Sequence, residues 1–219
     1  MKKKKILIGT FNRGKFKEIS YLLPKKFKKV SPDYLNIKGP KETGKTFLEN
    51  SKIKARYFFK KSNIVTISDD SGLCIDCLRG KPGIFSARWA KKYGSFKKAM
   101  KKILIMVKKK NKNKKYKNFK AKFICSLTVC NYGKKTFSSV GILDGKISEK
   151  ILGDKGFGYD PIFIPKNHKL TFGQMHKKQK IFIDHRFIAF KKIKRKLKTL
   201  WTYFYLFYRF QVFEKLPHY

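Results

Sequence analysis

Apolar residues recur along this chain at two different spacings, and the changes of spacing mark out its elements. A short run over 6–10, Ile-Leu-Ile-Gly-Thr, reads as a strand. Asn12, Arg13 and Gly14 break it, and residues 15–23 then carry apolar side chains at helical spacing until Pro24. A second helix is predicted over 44–59, with Thr46 as N-cap and Glu49 completing a capping box. Residues 63–67 are β-branched and apolar and read as a buried strand. It gives way to two acids, Asp69 and Asp70, and to the turn chemistry of Ser71 and Gly72. A third helix is predicted over 96–107, followed by a connector rich in lysine and asparagine over 108–120. Strands at 123–130 and 135–143 flank a turn at Asn131-Tyr132-Gly133, the pattern of an antiparallel hairpin. The glycine-rich stretch 153–161 leads into a strand at 162–164, and Asp184 caps a last helix running to Ile193.

A chain of 219 residues with 42% hydrophobic and 16% aromatic content can fill one large core or two small ones, which excludes a disordered protein. The formal net charge of +43 points, taken alone, to nucleic acid or an anionic membrane. The kind of cation changes that picture, because only seven of the 56 basic residues are arginine. Surfaces built to read phosphates or bases favour the bidentate arginine fork. Lysine excess beside abundant Phe, Ile, Asn and Tyr has instead the look of drift toward adenine- and thymine-rich codons. The apolar run after the basic N-terminus is too short to be a signal peptide or a membrane span, and no other stretch is long enough to cross a bilayer, so a cytoplasmic location is expected. Cys74 and Cys77 have metal-like spacing without a second close pair or a nearby histidine. Together with Cys125 and Cys130 they read as buried reduced thiols.

Candidate chemistry gathers at three places. Asp69 and Asp70 put adjacent carboxylates where a strand is expected to end, and such a pair repels itself unless a cation, a lysine or a hard metal such as Mg²⁺, lies beside it. Asn12-Arg13-Gly14 followed by Lys15 points backbone N–H groups, a helix N-terminus and a lysine toward an anion, although the spacing is not that of a Walker loop. His185 and Arg186 place positive charge in the first turn of a helix, against its dipole, which favours a ligand role over helix stability. Each place also has an ordinary reading: solvated acids in a turn, a plain strand-to-helix loop, and, for Glu49, a capping box that explains it fully.

Taken in order, these stretches resemble the inosine/xanthosine triphosphate pyrophosphatase family. The resemblance is carried by Thr10-Phe-Asn-Arg-Gly-Lys15, Thr46-Phe-Leu-Glu-Asn-Ser-Lys-Ile-Lys-Ala-Arg56, Asp69-Asp-Ser-Gly-Leu73, Gly80-Lys-Pro-Gly-Ile-Phe-Ser-Ala-Arg88, Gly156-Phe-Gly-Tyr-Asp-Pro-Ile-Phe163, and Lys180 with His185-Arg186. Each motif is weak alone, but six in the family order, covering residues 6 to 200, are specific. The resemblance implies an α/β fold with a long mixed β-sheet flanked by helices, in two lobes with the active site in the cleft between them. It implies hydrolysis of nonstandard purine nucleoside triphosphates to the monophosphate and pyrophosphate. Asp70 is then the proton acceptor. Asp70 and Glu49, with Asp69 beside them, are candidate Mg²⁺ ligands.

Substrate binding is implied for Thr10, Phe11, Asn12, Arg13, Gly14 and Lys15 on the triphosphate, with Ser71 beside it. Phe157, Gly158, Tyr159 and Asp160 surround the base, followed by Lys180, His185 and Arg186. Lys15, Lys54 and Lys180 are available for phosphates, and Phe157 for stacking. Donors from His185, Arg186 or the backbone suit the 6-oxygen of inosine or xanthosine and face an amino group in adenosine. A homodimer without membrane attachment is implied, with nucleic-acid binding at most non-specific. Residues 1–199 form the pyrophosphatase domain on this reading, and 200–219 an aromatic extension.

The chain departs from the family pattern at four positions. Phe11 replaces a glycine and is strained if the position needs positive φ. Asp184 replaces a serine before His185 and, as a carboxylate, favours a protonated imidazole. Gln174 replaces a glutamate, and Ser51 an alanine. The rival expectation is a basic nucleic-acid-binding protein on an inactive pyrophosphatase scaffold.

Overall fold

The structure is a computed structural model, and it describes residues 4–131 and 135–197. The elements in chain order are β1 (Lys5–Ile8), α1 (Arg13–Leu22), β2 (Lys28–Val30), α2 (Phe47–Ser62), β3 (Thr66–Ile75), β4 (Lys81–Pro82), α3 (Ser86–Lys92), α4 (Phe96–Asn111), β5 (Lys120–Cys130), β6 (Thr136–Ile147), β7 (Phe163–Pro165), α5 (Lys177–Ile181) and α6, over 185–197. The strands form one mixed sheet in the order β2-β1-β3-β5-β6-β7, with β4 paired to β3. β1 is parallel to both β2 and β3, joined through the helical crossovers that parallel pairing requires. β3, β5, β6 and β7 are antiparallel.

The local reasons for the helices are visible in their caps. Asn12 accepts the Lys15 N–H and opens α1, Thr46 accepts the Glu49 N–H and opens α2, and Asp184 accepts the Phe187 N–H and opens α6. Odd-numbered residues at the start of β3 face α1 and α6, where Ile67 joins Ile6, Ile8, Ile19, Leu127, Ala189, Phe190 and Ile193 in one core. Even-numbered residues face α2, where Ser51 meets Ser126 and Thr128 of β5. Farther along the same long strands a second core forms, with Leu73, Ile75, Phe123, Ile103, Val107, Phe163 and Phe172. Burying each such side chain contributes roughly 1.5–3 kcal/mol relative to exposure. The two cores are the two lobes, and the long strands β3 and β5 run through both.

Four expectations are corrected. β3 does not end at the acids. It runs through Ser71 and Gly72 to Ile75, because β5 pairs with its whole length, from Thr66 opposite Cys130 to Ile75 opposite Ala121. Gly72 serves close packing there: a Cβ on it would lie 2.3 Å from the Gly83 carbonyl oxygen and 2.4 Å from Ser86 Oγ. Phe11 has no positive φ, so the side chain imposes no backbone strain. Cys74 and Cys77 are half-buried, whereas Cys125 and Cys130 are buried as expected, and all four are free. The connector after α4 is shorter than expected: the helix continues to Asn111, whose side chain donates to Val107 O and Asn118 O and accepts from Asn118 N, tying the loop shut. The hairpin between β5 and β6 forms, but most of its turn, like the extension over 200–219, lies outside the described residues.

Candidate active site

Between the lobes lies a cavity of about 290 Å³. Its walls come from the loop after β1, α2, the middle of β3, the loop before α3, the glycine-rich stretch around residue 157, and the first turn of α6. Of the residues expected at the site, it is lined by the proton acceptor Asp70 and, from the substrate-binding set, by Thr10, Phe11, Asn12, Lys15, Lys54, Ser71, Phe157, Gly158, Tyr159, Asp160, His185 and Arg186. Arg13, Gly14, Lys180, Asp69 and Glu49 do not line it.

The two neighbouring acids part company because successive residues of a strand point to opposite faces. Asp69 is fully buried toward α1 and α6. Its Oδ2 takes Lys15 Nζ at 3.1 Å, Ser71 Oγ at 3.0 Å and Arg186 Nε at 3.4 Å. Burial pushes its carboxyl up, but Lys15, Arg186 and Lys54 outweigh that and hold it far below the ordinary range. Asp70 faces α2 and the cavity. Its Oδ1 takes Lys54 Nζ at 3.3 Å, and its buried Oδ2 has no partner among the described residues. Burial raises its pKa, with Lys54 and Lys15 pulling the other way and Glu42 and Asp69 adding to the rise.

Lys54 also donates to Glu42 Oε1 at 2.8 Å, and Glu42 lines the cavity. Burial works against the Lys54 ammonium, but Asp70, Asp69 and Glu42 together raise its pKa. Glu49, by contrast, is exposed, and its Oε2 accepts the N–H of Lys45, one residue before the N-cap, at 2.6 Å; Thr46 caps α2 as expected, but Glu49 does not complete the capping box through the Thr46 N–H. Among the described residues no three His, Cys, Asp or Glu side chains are grouped as a metal site. A cation held here would take one or two carboxylates from the protein, those of Asp70, whose Oδ2 is unpartnered, and Glu42 nearby, and the remainder of its shell from a ligand and water. That is the donor set Mg²⁺ adopts with phosphates.

A buried ion network supports the other end of the cavity. Glu18, on the inner face of α1, takes Lys180 Nζ at 2.8 Å and Arg186 Nη1 at 2.5 Å. Lys180 also reaches Asp160 Oδ2 at 2.6 Å, and that oxygen accepts the Phe157 N–H at 2.7 Å. The Phe157 ring is therefore fixed, with Lys180 Nζ 4.7 Å and the Arg186 guanidinium 5.4 Å from its centroid. Gly14 leaves room for it: a Cβ there would lie 2.4 Å from the ring. His185 stacks on Phe123 with centroids 4.7 Å apart and planes 11° apart, and its Nδ1 has no partner among the described residues. Burial lowers its pKa well below the ordinary value, and Arg186, Lys180 and Lys15 lower it further. This corrects the expectation that Asp184 favours a protonated His185. Asp184 is itself pushed up to about 7 by burial and by Glu18, so it offers no full counter-charge.

Glu18 and Glu42 were missed as site residues. Glu18 carried a signal: an acid between Phe16 and Ile19 on the apolar face of a helix, where an unpaired carboxylate is costly. Glu42 carried none beyond the scarcity of acids. Arg88 also lines the cavity, with its guanidinium 4.3 Å from the Phe85 ring and no ion pair to a described residue. Arg88 lies in the first turn of α3, which is anchored by Ser86: its hydroxyl accepts the Leu73 N–H and donates to Gly83 O, while its carbonyl accepts from the Tyr159 hydroxyl.

Comparison with known proteins places this geometry. The sequence pattern described as "Ham1 family" matches residues 6–196. The chain is 39% identical over 193 residues to a dITP/XTP pyrophosphatase of Caulobacter vibrioides, covering 88% of this chain and 97% of that one. It is 36% identical over 190 residues to the dITP/XTP pyrophosphatase of Zymomonas mobilis, covering 86% and 90%. Its structure is similar to that of a HAM1 protein from Coxiella burnetii, with a TM-score of 0.79 and 30% identity over 90% of this chain and 99% of the other.

Proposed function

The chain belongs to the Ham1 family, and from that premise we propose that it hydrolyses nonstandard purine nucleoside triphosphates, of the dITP and XTP type, to the monophosphate and pyrophosphate. One observation carries the assignment of roles: a buried carboxylate with a raised pKa and an unpartnered oxygen, Asp70, at the wall of a cavity that also holds a lysine, an arginine and a fixed aromatic ring. Asp70 takes the proton of the attacking water, and burial brings its pKa closer to the range in which a general base works well. Asp70 and Glu42 are the residues that would hold Mg²⁺, and the geometry favours Glu42 over Glu49 for this role. When bound, the cation supplies charge neutralisation on the phosphates and a more acidic water. Lys54 and Lys15 retain unused N–H donors for phosphate oxygens, and Arg88 is a cavity cation without a carboxylate partner.

At the base end, Phe157 offers a flat apolar face. Arg186 spends three donors on Glu18, Asp69 and Ser71, which leaves N–H groups for a purine 6-oxygen. Neutral His185 keeps one N–H to offer. Lys180 supports Phe157 from behind by holding Asp160. On the family resemblance we extend the proposal to a homodimer in the cytoplasm whose domain spans 1–199. Among the described residues no helix is long and apolar enough to cross a membrane. The rival reading as an inactive nucleic-acid binder loses its motive at Phe11, whose backbone is ordinary.

The test is pyrophosphate release from dITP with Mg²⁺, beside dATP and dGTP, for wild type and Asp70→Asn. Expected are fast release from dITP, slow release from the other two, and a loss of about 10²–10⁴ in the variant. Equal release from all three nucleotides would discard the base filter, and no release from folded wild type would discard the activity.

A further inference from the structure

Phe11 stands in the middle of the loop after β1 with 47% of its surface exposed, unusual for a large apolar side chain at a cavity edge. Its ring packs on Phe58 of α2, with centroids 6.0 Å apart and planes tilted by 58°. On another side it touches Gly39: a Cβ built there would lie 2.9 Å from Phe11 Cε2, so the contact exists because residue 39 has no side chain. Gly39 belongs to the stretch that carries Glu42. Before it, the Ile37 N–H donates to Pro32 O at 3.0 Å, and after it, the Gly44 N–H donates to Asn50 Oδ1 at 2.8 Å. Between those anchors, residues 38–43 make no backbone hydrogen bond to a described residue, and most of them are exposed. Such a stretch opens locally at little cost unless side chains hold it. The Phe11 ring on Gly39 and Lys54 Nζ on Glu42 do so.

We propose that Phe11 is a positioning residue whose ring, lodged between Phe58 and Gly39, clamps residues 38–43 against α2 and so keeps Glu42 beside Lys54 and Asp70. The consequence for Mg²⁺ rests on the function proposed above; the clamp itself does not. A carboxylate on a loose strap must be ordered when it binds a cation, and holding it in place beforehand removes that cost.

The test uses Phe11→Gly, Phe11→Tyr, Gly39→Ala and the double variant Phe11→Gly/Gly39→Ala. Metal-free protein is digested under native conditions with a glutamate-specific endoprotease, and cleavage after Glu42 is timed by mass spectrometry, with cleavage after the buried Glu18 as the gauge of global unfolding. Phe11→Gly speeds cleavage after Glu42 about tenfold and not after Glu18, in the regime where cleavage tracks the open population. Phe11→Tyr stays near wild type. Gly39→Ala also speeds cleavage, because its methyl displaces the ring, and the double variant is no faster than Phe11→Gly, because both changes remove one contact.

In Mg²⁺ titrations of pyrophosphate release, the half-saturating concentration rises about fivefold in Phe11→Gly, more than the KM for nucleotide does, and returns in Phe11→Tyr. Unchanged cleavage after Glu42, equal acceleration after Glu18, or additive effects in the double variant overturn the clamp. Faster cleavage with an unchanged Mg²⁺ requirement overturns the link to Glu42. Wild-type protein that releases no pyrophosphate sinks the proposed activity and leaves the cleavage arm to decide the clamp.

Discussion

Replacing Glu18 by glutamine keeps its volume and removes one charge from the centre of the ion network. Both its oxygens are engaged, by Lys180 at 2.8 Å and Arg186 at 2.5 Å, and the side chains of those partners are only 5% and 2% exposed. Burial pushes the Glu18 carboxyl up, but Arg186 and Lys180 outweigh it and hold the pKa below the ordinary value. Removing one partner from a buried pair costs about 3–5 kcal/mol. Lys180 keeps Asp160 and Arg186 keeps Asp69, so the lower end applies, about 3 kcal/mol.

For a domain of this size that corresponds to a fall in Tm of roughly 6–12 °C, and to a drop of roughly 1–1.5 M in the urea midpoint with an unchanged slope. The sign with pH follows from the depressed pKa. Stability from ionised Glu18 is fully present above the unfolded value of about 4.3 and is lost as pH falls through the lower folded value. Urea titrations of both proteins at pH 7, 5 and 3 read this directly, with the gap between them narrowing in acid. A gap under about 1 kcal/mol at pH 7, or one that does not narrow, would refute the claim that charge holds this network together.

Three further outcomes are expected. Asp184 has its pKa raised to about 7, so protonated Asp184 favours the fold below the unfolded value near 3.9, and that advantage is lost as pH rises toward 7. Relative to Asp184→Asn, which keeps the cap, wild type loses up to about 1.4 kcal/mol per pH unit across that window, measurable by denaturation at several pH values. Gly14→Ala pushes a methyl into the Phe157 ring and raises the KM for dITP severalfold while thermal stability falls little, since α1 gains a better helix former; an unchanged KM would mean that Phe157 does not touch the base. Ser51→Ala leaves Ser126 without its hydroxyl partner in a buried layer and costs about 1–3 kcal/mol in urea denaturation, so that the residue standing where the family has alanine is a working part of this packing.

Most of the longer elements were legible because their signals are local: caps at Thr46 and Asp184, glycine and proline punctuation, and the switch between two spacings; the short β2, β4, α3 and α5 were not, and residues 80–88, which read as a loop, hold β4 and the start of α3. The length of β3 was not, because Ser71-Gly72 has turn chemistry by itself, and only pairing with β5 over the whole strand overrides it. The site divides in the same way. Asp70, Lys15, Lys54, Phe157, His185 and Arg186 could be named from motifs, and the cavity brings them together. What motifs could not tell is which charges are spent. Lys180 is committed between Glu18 and Asp160, Glu49 is occupied by the Lys45 N–H just before its helix, and Glu42 is brought in by a strap whose course depends on a contact between Phe11 and Gly39.

β3 carries Asp69 to one side of the sheet and Asp70 to the other, so a single peptide bond separates the anchor of one lysine from the base that faces another. Errors of length and errors of chemistry therefore rank differently in this segment. An Asp70→Asn protein keeps every side chain on its proper face. A chain missing Thr66 would have the same acids and lysines, yet would present each carboxylate to the wrong helix, with Ile67 facing the polar layer under α2. Libraries of single-residue deletions across 66–75 should accordingly show a sharper loss of folded protein than substitution libraries of the same positions.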